Sequence, residues 1–382
     1  MRSNRKVPRW GLLCVVSVAL LIGVGFGALQ VSAFRRYLVY SPMVDVLYRR
    51  FTPDPKPYPT FRQFLINNFP GFAYAYITQR LVGSERDPEV VIHTLTRFVH
   101  ENLFVPDFGY AVVDDAPITV LHRGIGWCDQ QANILLRLLD QRNIPSRLVF
   151  LRDQKGVTPH SVGEVYLKGA WRIVDPLMML ILRNSREEIA TREEICQGEV
   201  DFGAFSSDRI SLPKYRQLFC QKPTWFGGNK ALRRPGFFEA IKLGKPFPGK
   251  TMADSWQRLF AMPDVIGSGL FINLYVQAIR DLYETEDGYA YGVARTYHIL
   301  GKFQEAQRWY SYVVTAFPTS THVEESLFFT GLAAYHGGQY GEARVAFDKL
   351  LHKYPKTPWA GRARLFSGKA LLALGQQKQA KL

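Results

Sequence analysis

Cysteine is scarce in this chain, with four residues among 382. That excludes a fold stapled throughout by disulfides. Cys14 lies in an apolar run and Cys128 in a motif treated below. Cys196 and Cys220 remain, either as a pair formed in an oxidising compartment or as two unrelated free thiols. Carboxylates are short as well: 33 Asp and Glu stand against 48 Lys and Arg, a formal charge of +15. The excess favours anionic surfaces such as phospholipid head groups, acidic cell-wall polymers or nucleic acid. No nucleic-acid-binding motif accompanies it, so nucleic acid is not an expected partner. Apolar residues, at 47% of the chain, are plentiful enough to exclude a largely disordered protein.

Charge is missing altogether from Trp10 to Phe34. As a helix this run would extend roughly 37 Å, enough to cross a bilayer. Arg2, Arg5, Lys6 and Arg9 precede it while Arg35 and Arg36 follow, so the positive-inside rule leans towards a cytoplasmic N-terminus. The segment reads as a retained single-pass signal-anchor. The rival reading is a secretory signal cleaved after Val31-Ser32-Ala33. Either exports everything beyond Arg36 to the cell envelope. Pro53, Pro55, Pro57 and Pro59 then make a stiff linker.

Three residues in order carry chemistry: Cys128, His160 and Asp175. They sit in Gly126-Trp127-Cys128-Asp129-Gln130, in His160-Ser161-Val162-Gly163-Glu164-Val165 and in Trp171-Arg172-Ile173-Val174-Asp175-Pro176. A thiol, an imidazole and a carboxylate can act as nucleophile, base and orienter of that base. Ala132, Leu135, Leu136 and Leu139 follow the cysteine at helical spacing, which puts the thiol at a helix N-terminus. There the helix dipole and free N–H groups favour thiolate and can stabilise an oxyanion.

Arg147 to Leu151 reads as a buried strand, and Ser161–Leu167 and Trp171–Val174 as two more. A two-residue turn at Lys168-Gly169 sets Leu167 opposite Ala170. In that register Val162 faces Asp175 and His160 faces Leu177. His160 and Asp175 then share a face as diagonal neighbours, roughly 7–8 Å apart at the backbone. A slip of one residue would separate them.

With these residues the stretch from about Asp87 to Glu194 resembles the transglutaminase-like cysteine superfamily. Three blocks carry the likeness: Gly-x-Cys before a helix, His-x-x-x-Glu-Val on a strand and Trp-x-x-x-Asp-Pro on the next. The resemblance implies a papain-like α+β core and no cofactor or metal for the chemistry. It implies Cys128 as nucleophile, His160 as general base and Asp175 as the orienting carboxylate. The family's second oxyanion donor lies upstream of the cysteine, with Trp127, His122 and Tyr110 as candidates. Val162 departs from the aromatic residue that many relatives place two after the histidine.

Elsewhere Thr60-Phe61-Arg62-Gln63 has the form of a capping box opening a short helix. Pro88 to Asn102 reads as a helix with His93 and His100 as surface or packing residues. Ser185-Arg186-Glu187-Glu188 is a second capping box, expected to start a helix. Phe202 to Pro248 lacks periodicity and reads as a connector, with a substrate-covering lid as the rival. Met252 to Tyr283 reads as mostly helical.

The tail repeats. Gly301-Lys302-Phe303-Gln304-Glu305-Ala306 recurs as Gly338-Gln339-Tyr340-Gly341-Glu342-Ala343 and begins again at Gly375, each time 37 residues on. Phe317-Pro318 recurs as Tyr354-Pro355. The pattern resembles the tetratricopeptide family, whose usual period is 34. Two helix pairs then fit between Asp287 and Pro355. A lone helix from Pro358 to Leu374 caps them through Ala363, Phe366, Ala370 and Leu374, with Arg362, Arg364 and Lys369 outward. Such arrays bind peptides or proteins in a groove. Residues 287–382 hold 12 Lys or Arg against 6 Asp or Glu. An acidic partner is one reading of that balance and a solvated spacer the other.

The expected organisation is a transmembrane signal-anchor over 1–36 and a linker with a short helix over 37–86. A transglutaminase-like domain follows over 87–205, a partly helical connector over 206–286 and an all-α solenoid over 287–382. The expected activity is acyl transfer from an amide or peptide through a Cys128 thioester, ending on water by default. The alternative is a non-catalytic envelope scaffold that uses core and repeats as binding modules.

Overall fold

A computed structural model describes residues 61–105, 116–203, 205, 207, 210–225, 267–280 and 283–376. The proposed membrane segment, the Pro-rich linker and Tyr110 lie outside the described residues, as does the last part of the third repeat. Among the described residues no helix is long and apolar enough to cross a membrane. The chain divides into two units, Met1–Phe69 with Val265–Tyr283 and Pro70–Asp264 with Glu284–Leu382.

Helix α1 (Phe61–Val82) is longer than the expected short helix and runs through Pro70. Phe72 to Ile77 is a run buried on every side, and that tertiary burial outweighs the proline's local cost. Helix α2 (Pro88–Asn102) starts where expected, with the Asp87 carboxylate accepting from the Glu89 N–H at 2.8 Å. A short helix, α3 (Pro117–Arg123), and the cysteine helix α4 (Cys128–Asp140) follow.

The sheet is antiparallel, in the order β3-β2-β1-β4, from β1 (Ser146–Leu151), β2 (His160–Leu167), β3 (Ala170–Val174) and β4 (Thr224–Trp225). Leu167 pairs with Ala170 and Gly163 with Val174, the register set by the Lys168-Gly169 turn. Both turn residues have positive φ, 51° and 80°, as a two-residue hairpin turn demands. Side chains alternate between the faces. On one face Gly163 leaves room for α4, since a Cβ there would lie 3.3 Å from Leu136. On the other, Val149, Leu151, Val162 and Ile173 join the cluster of Tyr215, Leu218 and Phe219.

That second face corrects two expectations. Ser185 starts no helix. The Asn184 side chain instead takes the N–H groups of Arg186 and Glu188 at 3.0 and 3.1 Å, and Glu187 is turned to φ 59°. The helix begins six residues later as α5 (Arg192–Gln197), on the reciprocal caps of Thr191 and Glu194. The supposed connector, for its part, supplies α6 (Leu212–Cys220) and strand β4. Cys196 and Cys220 are bridged, with Cα atoms 4.9 Å apart, so α6 is fastened to the end of α5. Helix α7 (Gly267–Ala278) lies in the other unit, where Tyr275 stacks on Phe69 at 3.5 Å between ring centres.

The 37-residue period is built as helix pairs: α8 (Glu286–Ile299) with α9 (Phe303–Ala316), then α10 (Val323–His336) with α11 (Tyr340–Lys353). A single helix, α12 (Ala360–Ala373), ends the array. Gly301, Gly338 and Gly375 share φ near +75°, a left-handed turn that explains their recurrence. Gly331 is needed for approach, since a Cβ there would lie 2.6 Å from the Phe347 ring. On α12, Ala363, Phe366 and Ala370 are buried as expected. Leu374 is 44% exposed, and Leu371 takes its place in the interior.

The array closes on the α/β part of the same unit. Phe104 meets Phe328, Trp359 and Phe366 edge-on at 5.5 to 6.2 Å. Arg362, expected outward, turns in: it donates to the Val105 carbonyl and its guanidinium covers the Phe104 ring. Arg295 is 1% exposed. It donates to the carbonyls of His122 and Leu121 at the end of α3, and it lies 3.8 Å over the Phe329 ring. Gly124, which ends α3 at φ +74°, has room for no side chain, because a Cβ would lie 2.7 Å from Phe329. Arg295→Met removes the donors and strands two buried carbonyls. We expect a loss of about 2–4 kcal/mol in chemical denaturation, with the loss falling on repeats and α/β region together.

Candidate active site

Cys128 is the first residue of α4, as the spacing required. Trp127 precedes the helix, and its backbone N–H is taken by the Gln130 side chain at 3.0 Å. Gln131 turns back to the Gly126 carbonyl at 2.9 Å. The turn before the nucleophile is therefore held by the first helical residues themselves. Gly126 is required there, since a Cβ would lie 2.7 Å from Val120. Cys128 is partly exposed and is the free cysteine among the described residues.

His160 opens β2, and Asp175 follows β3 by one residue. The hairpin brings them together: His160 Nε2 lies 2.6 Å from Asp175 Oδ2. The Cys128 sulfur stands near enough to the same imidazole to raise it. All three site residues named from the sequence thus meet at one ring. Burial of His160 works against its charge. The Asp175 carboxylate, its hydrogen bond and the Cys128 sulfur outweigh that and raise the imidazole to about 10. A charged imidazole beside a sulfur is the setting in which a cysteine acts as a nucleophile.

Asp175 has no solvent exposure. A buried carboxylate needs partners, and it has three. His160 is one; the Met178 N–H donates to Oδ1 at 3.1 Å, and the Tyr215 hydroxyl donates to Oδ2 at 3.0 Å. Burial and the neighbouring carboxylate push the Tyr215 hydroxyl well above its ordinary value, so it stays a donor. Tyr215 comes from α6, forty residues downstream, with no local pattern to mark it. His100 was also missed: its Nδ1 donates to the carbonyls of Pro176 and Leu177 at 3.1 Å each and pins the chain just after Asp175.

Other motif residues are structural. Glu164 pairs with Arg147, whose guanidinium is sandwiched between Trp171 at 4.0 Å and Trp225 at 4.7 Å. Burial raises the Glu164 carboxyl and Arg147 pulls it down, the first effect being the larger. Of the oxyanion candidates, Trp127 has a buried indole N–H that donates to nothing among the described residues. His122 is half-buried in α3, where desolvation and then Arg295 lower it to about 3. Among the described residues no group of three His, Cys, Asp or Glu is placed to hold a metal.

The cleft over the thiol has a volume of about 490 Å³, with Cys128, Phe150, Arg152, Thr158, Ser161 and Thr224 on its walls. A second groove, of about 540 Å³, runs between α9 and α11 past Val314, Thr330 and Val345 and contains none of the triad.

The imidazolium has a pH consequence. A folded value raised from 6.5 to about 10 contributes stability that is fully present below pH 6.5 and is lost as pH rises through 10. The difference in melting temperature between the wild type and His160→Gln should therefore be largest near pH 6 and shrink steadily to pH 10. A difference that grew with pH would contradict the charged state.

No curated protein and no solved structure matches this chain. The family model of the transglutaminase-like superfamily core matches residues 75–176, a span that takes in Cys128, His160 and Asp175. This chain thus carries a transglutaminase-like domain at residues 75–176.

Proposed function

We propose that the protein is an exported, membrane-anchored cysteine enzyme of amide or peptide acyl transfer. The observation that carries this reading is the single imidazole held between the Cys128 sulfur and the buried Asp175 carboxylate. The sulfur attacks the acyl carbon and a C–S bond forms. The N–H groups at the start of α4, with the Trp127 indole as second donor, stabilise the oxyanion. As the C–N bond breaks, the imidazolium gives its proton to the departing amine. Water then attacks the thioester with His160 as base, releasing the acid and restoring the thiol. Asp175 stabilises the imidazolium at each stage, and Tyr215 and the Met178 N–H stabilise Asp175.

Export is supported by the uncharged run from Trp10 to Phe34 and by the Cys196–Cys220 bridge, which suits an oxidising compartment. The tail is a tetratricopeptide array, supported by the helix pairs at a constant 37-residue interval. Its first helices α8, α10 and α12 are occupied by Phe104, α3 and Val105 of the same chain. A protein or peptide partner is therefore assigned to the second-helix face, where Val345 is 64% exposed beside the α9–α11 groove.

Release of ammonia or free amine from a panel of peptide amides tests the chemistry. Cys128→Ala should abolish turnover, by at least about 10³-fold, with a melting temperature close to wild type. Asp175→Asn should cut turnover by about 10²–10⁴-fold, because the imidazole loses its anion. Wild-type turnover in Cys128→Ala would remove the nucleophile assignment.

A further inference from the structure

We propose that the acyl donor carries a carboxylate next to the scissile carbonyl and that Arg152 binds it. This rests on the catalytic reading of Cys128 and names the substrate class for that site. Arg152 directly follows β1, one residue beyond the pair that sets Leu151 opposite His160. It lines the same cleft as Phe150, whose partners across the sheet are Ser161 and Thr224. Those residues and Cys128 line one cleft.

The guanidinium is held but not neutralised. Its Nε donates to the Thr224 hydroxyl, which fixes the plane of the group. Neither terminal NH₂ group has a hydrogen-bond or carboxylate partner among the described residues. The adjacent Asp153 is turned to its own loop, where Oδ1 accepts from the N–H groups of Lys155 and Val157 at 2.9 Å each. A planar fork with two free N–H pairs suits a carboxylate, which it engages through two parallel hydrogen bonds. The other charged group on the cleft wall is Asp129, next to the nucleophile. The chain's excess of positive charge adds a long-range pull on the same acidic substrates.

Charge-selective alkylation of Cys128 tests the subsite without knowledge of the substrate. In both reagents the sulfur displaces iodide: an S–C bond forms, the C–I bond breaks, iodide leaves, and the His160 imidazolium keeps its proton. Iodoacetate carries a carboxylate next to the reacting carbon and iodoacetamide does not. Rates are read by mass spectrometry of the Cys128 peptide, which separates it from Cys14. The ratio of iodoacetate to iodoacetamide rates should fall about tenfold in Arg152→Met and Arg152→Gln and be largely kept in Arg152→Lys. The iodoacetamide rate itself should change little in these variants. A ratio within twofold of wild type in a folded Arg152→Met or Arg152→Gln overturns the proposal. If neither variant folds, the wild type decides. N-acetylglutamate should protect Cys128 from iodoacetamide more strongly than N-acetylglutamine amide, and equal protection overturns the proposal. Failure of the catalytic reading looks different: iodoacetamide would then react with wild-type Cys128 no faster than with the denatured chain.

Discussion

Asp175 is a carboxylate without solvent, and the transglutaminase-like half of this protein is arranged around that fact. Left alone in an apolar interior, such a group would give up its charge. Here three donors converge on it: an imidazole from β2, a hydroxyl from α6 and a backbone N–H from the loop after β3. Each donor is delivered by a separate device. The Lys168-Gly169 turn fixes the register that brings His160 across. His100 on α2 pins the loop carbonyls beyond Asp175. The Cys196–Cys220 bridge fastens the helix that carries Tyr215. The charge state of the imidazole then follows from the carboxylate, and the pairing with Cys128 follows from the imidazole.

The repeats obey a different constraint. A stack of helix pairs gains its stability from neighbours, and its ends need cover. α12 covers one end, but the array also finds a neighbour in the transglutaminase-like region, where Phe104 and Ile125 enter its aromatic core. Two arginines make the junction polar as well as apolar. Arg295 and Arg362 both donate to main-chain carbonyls while their guanidinium faces cover aromatic rings. Such a cation loses water but keeps both hydrogen bonds and a favourable ring face.

What could be read in the sequence was what local chemistry encodes. A period of two, a turn that needs positive φ and a helix with its apolar residues at fixed spacing located Cys128, His160 and Asp175 on their elements. The recurring glycines located the repeat turns for the same reason. Tyr215 was illegible because its partner lies forty positions away and its own helix looks ordinary. Arg295 and Arg362 were illegible because a charge on a helix is expected to face water, and only the opposing carbonyls of α3 and Val105 show otherwise. Ser185 and Thr191 open equally good capping boxes. The choice between them fell to Asn184, whose side chain spends the first on a turn. The span from 202 to 248 hid α6 because a helix of nine residues offers too few turns for a pattern.

The seam between repeats and catalytic region also fixes a length. Phe104, Arg295 and Arg362 join the array at three separate helices, and Gly124 has no slack for a side chain between them. An array fastened at three points does not swing as a tethered arm would. The groove along α9 and α11 therefore stands at a constant span from the thiol. Under the proposed acyl-transfer reading, the seam would serve as a ruler, selecting a bond by how far it lies from a segment held in that groove as well as by the residues flanking it.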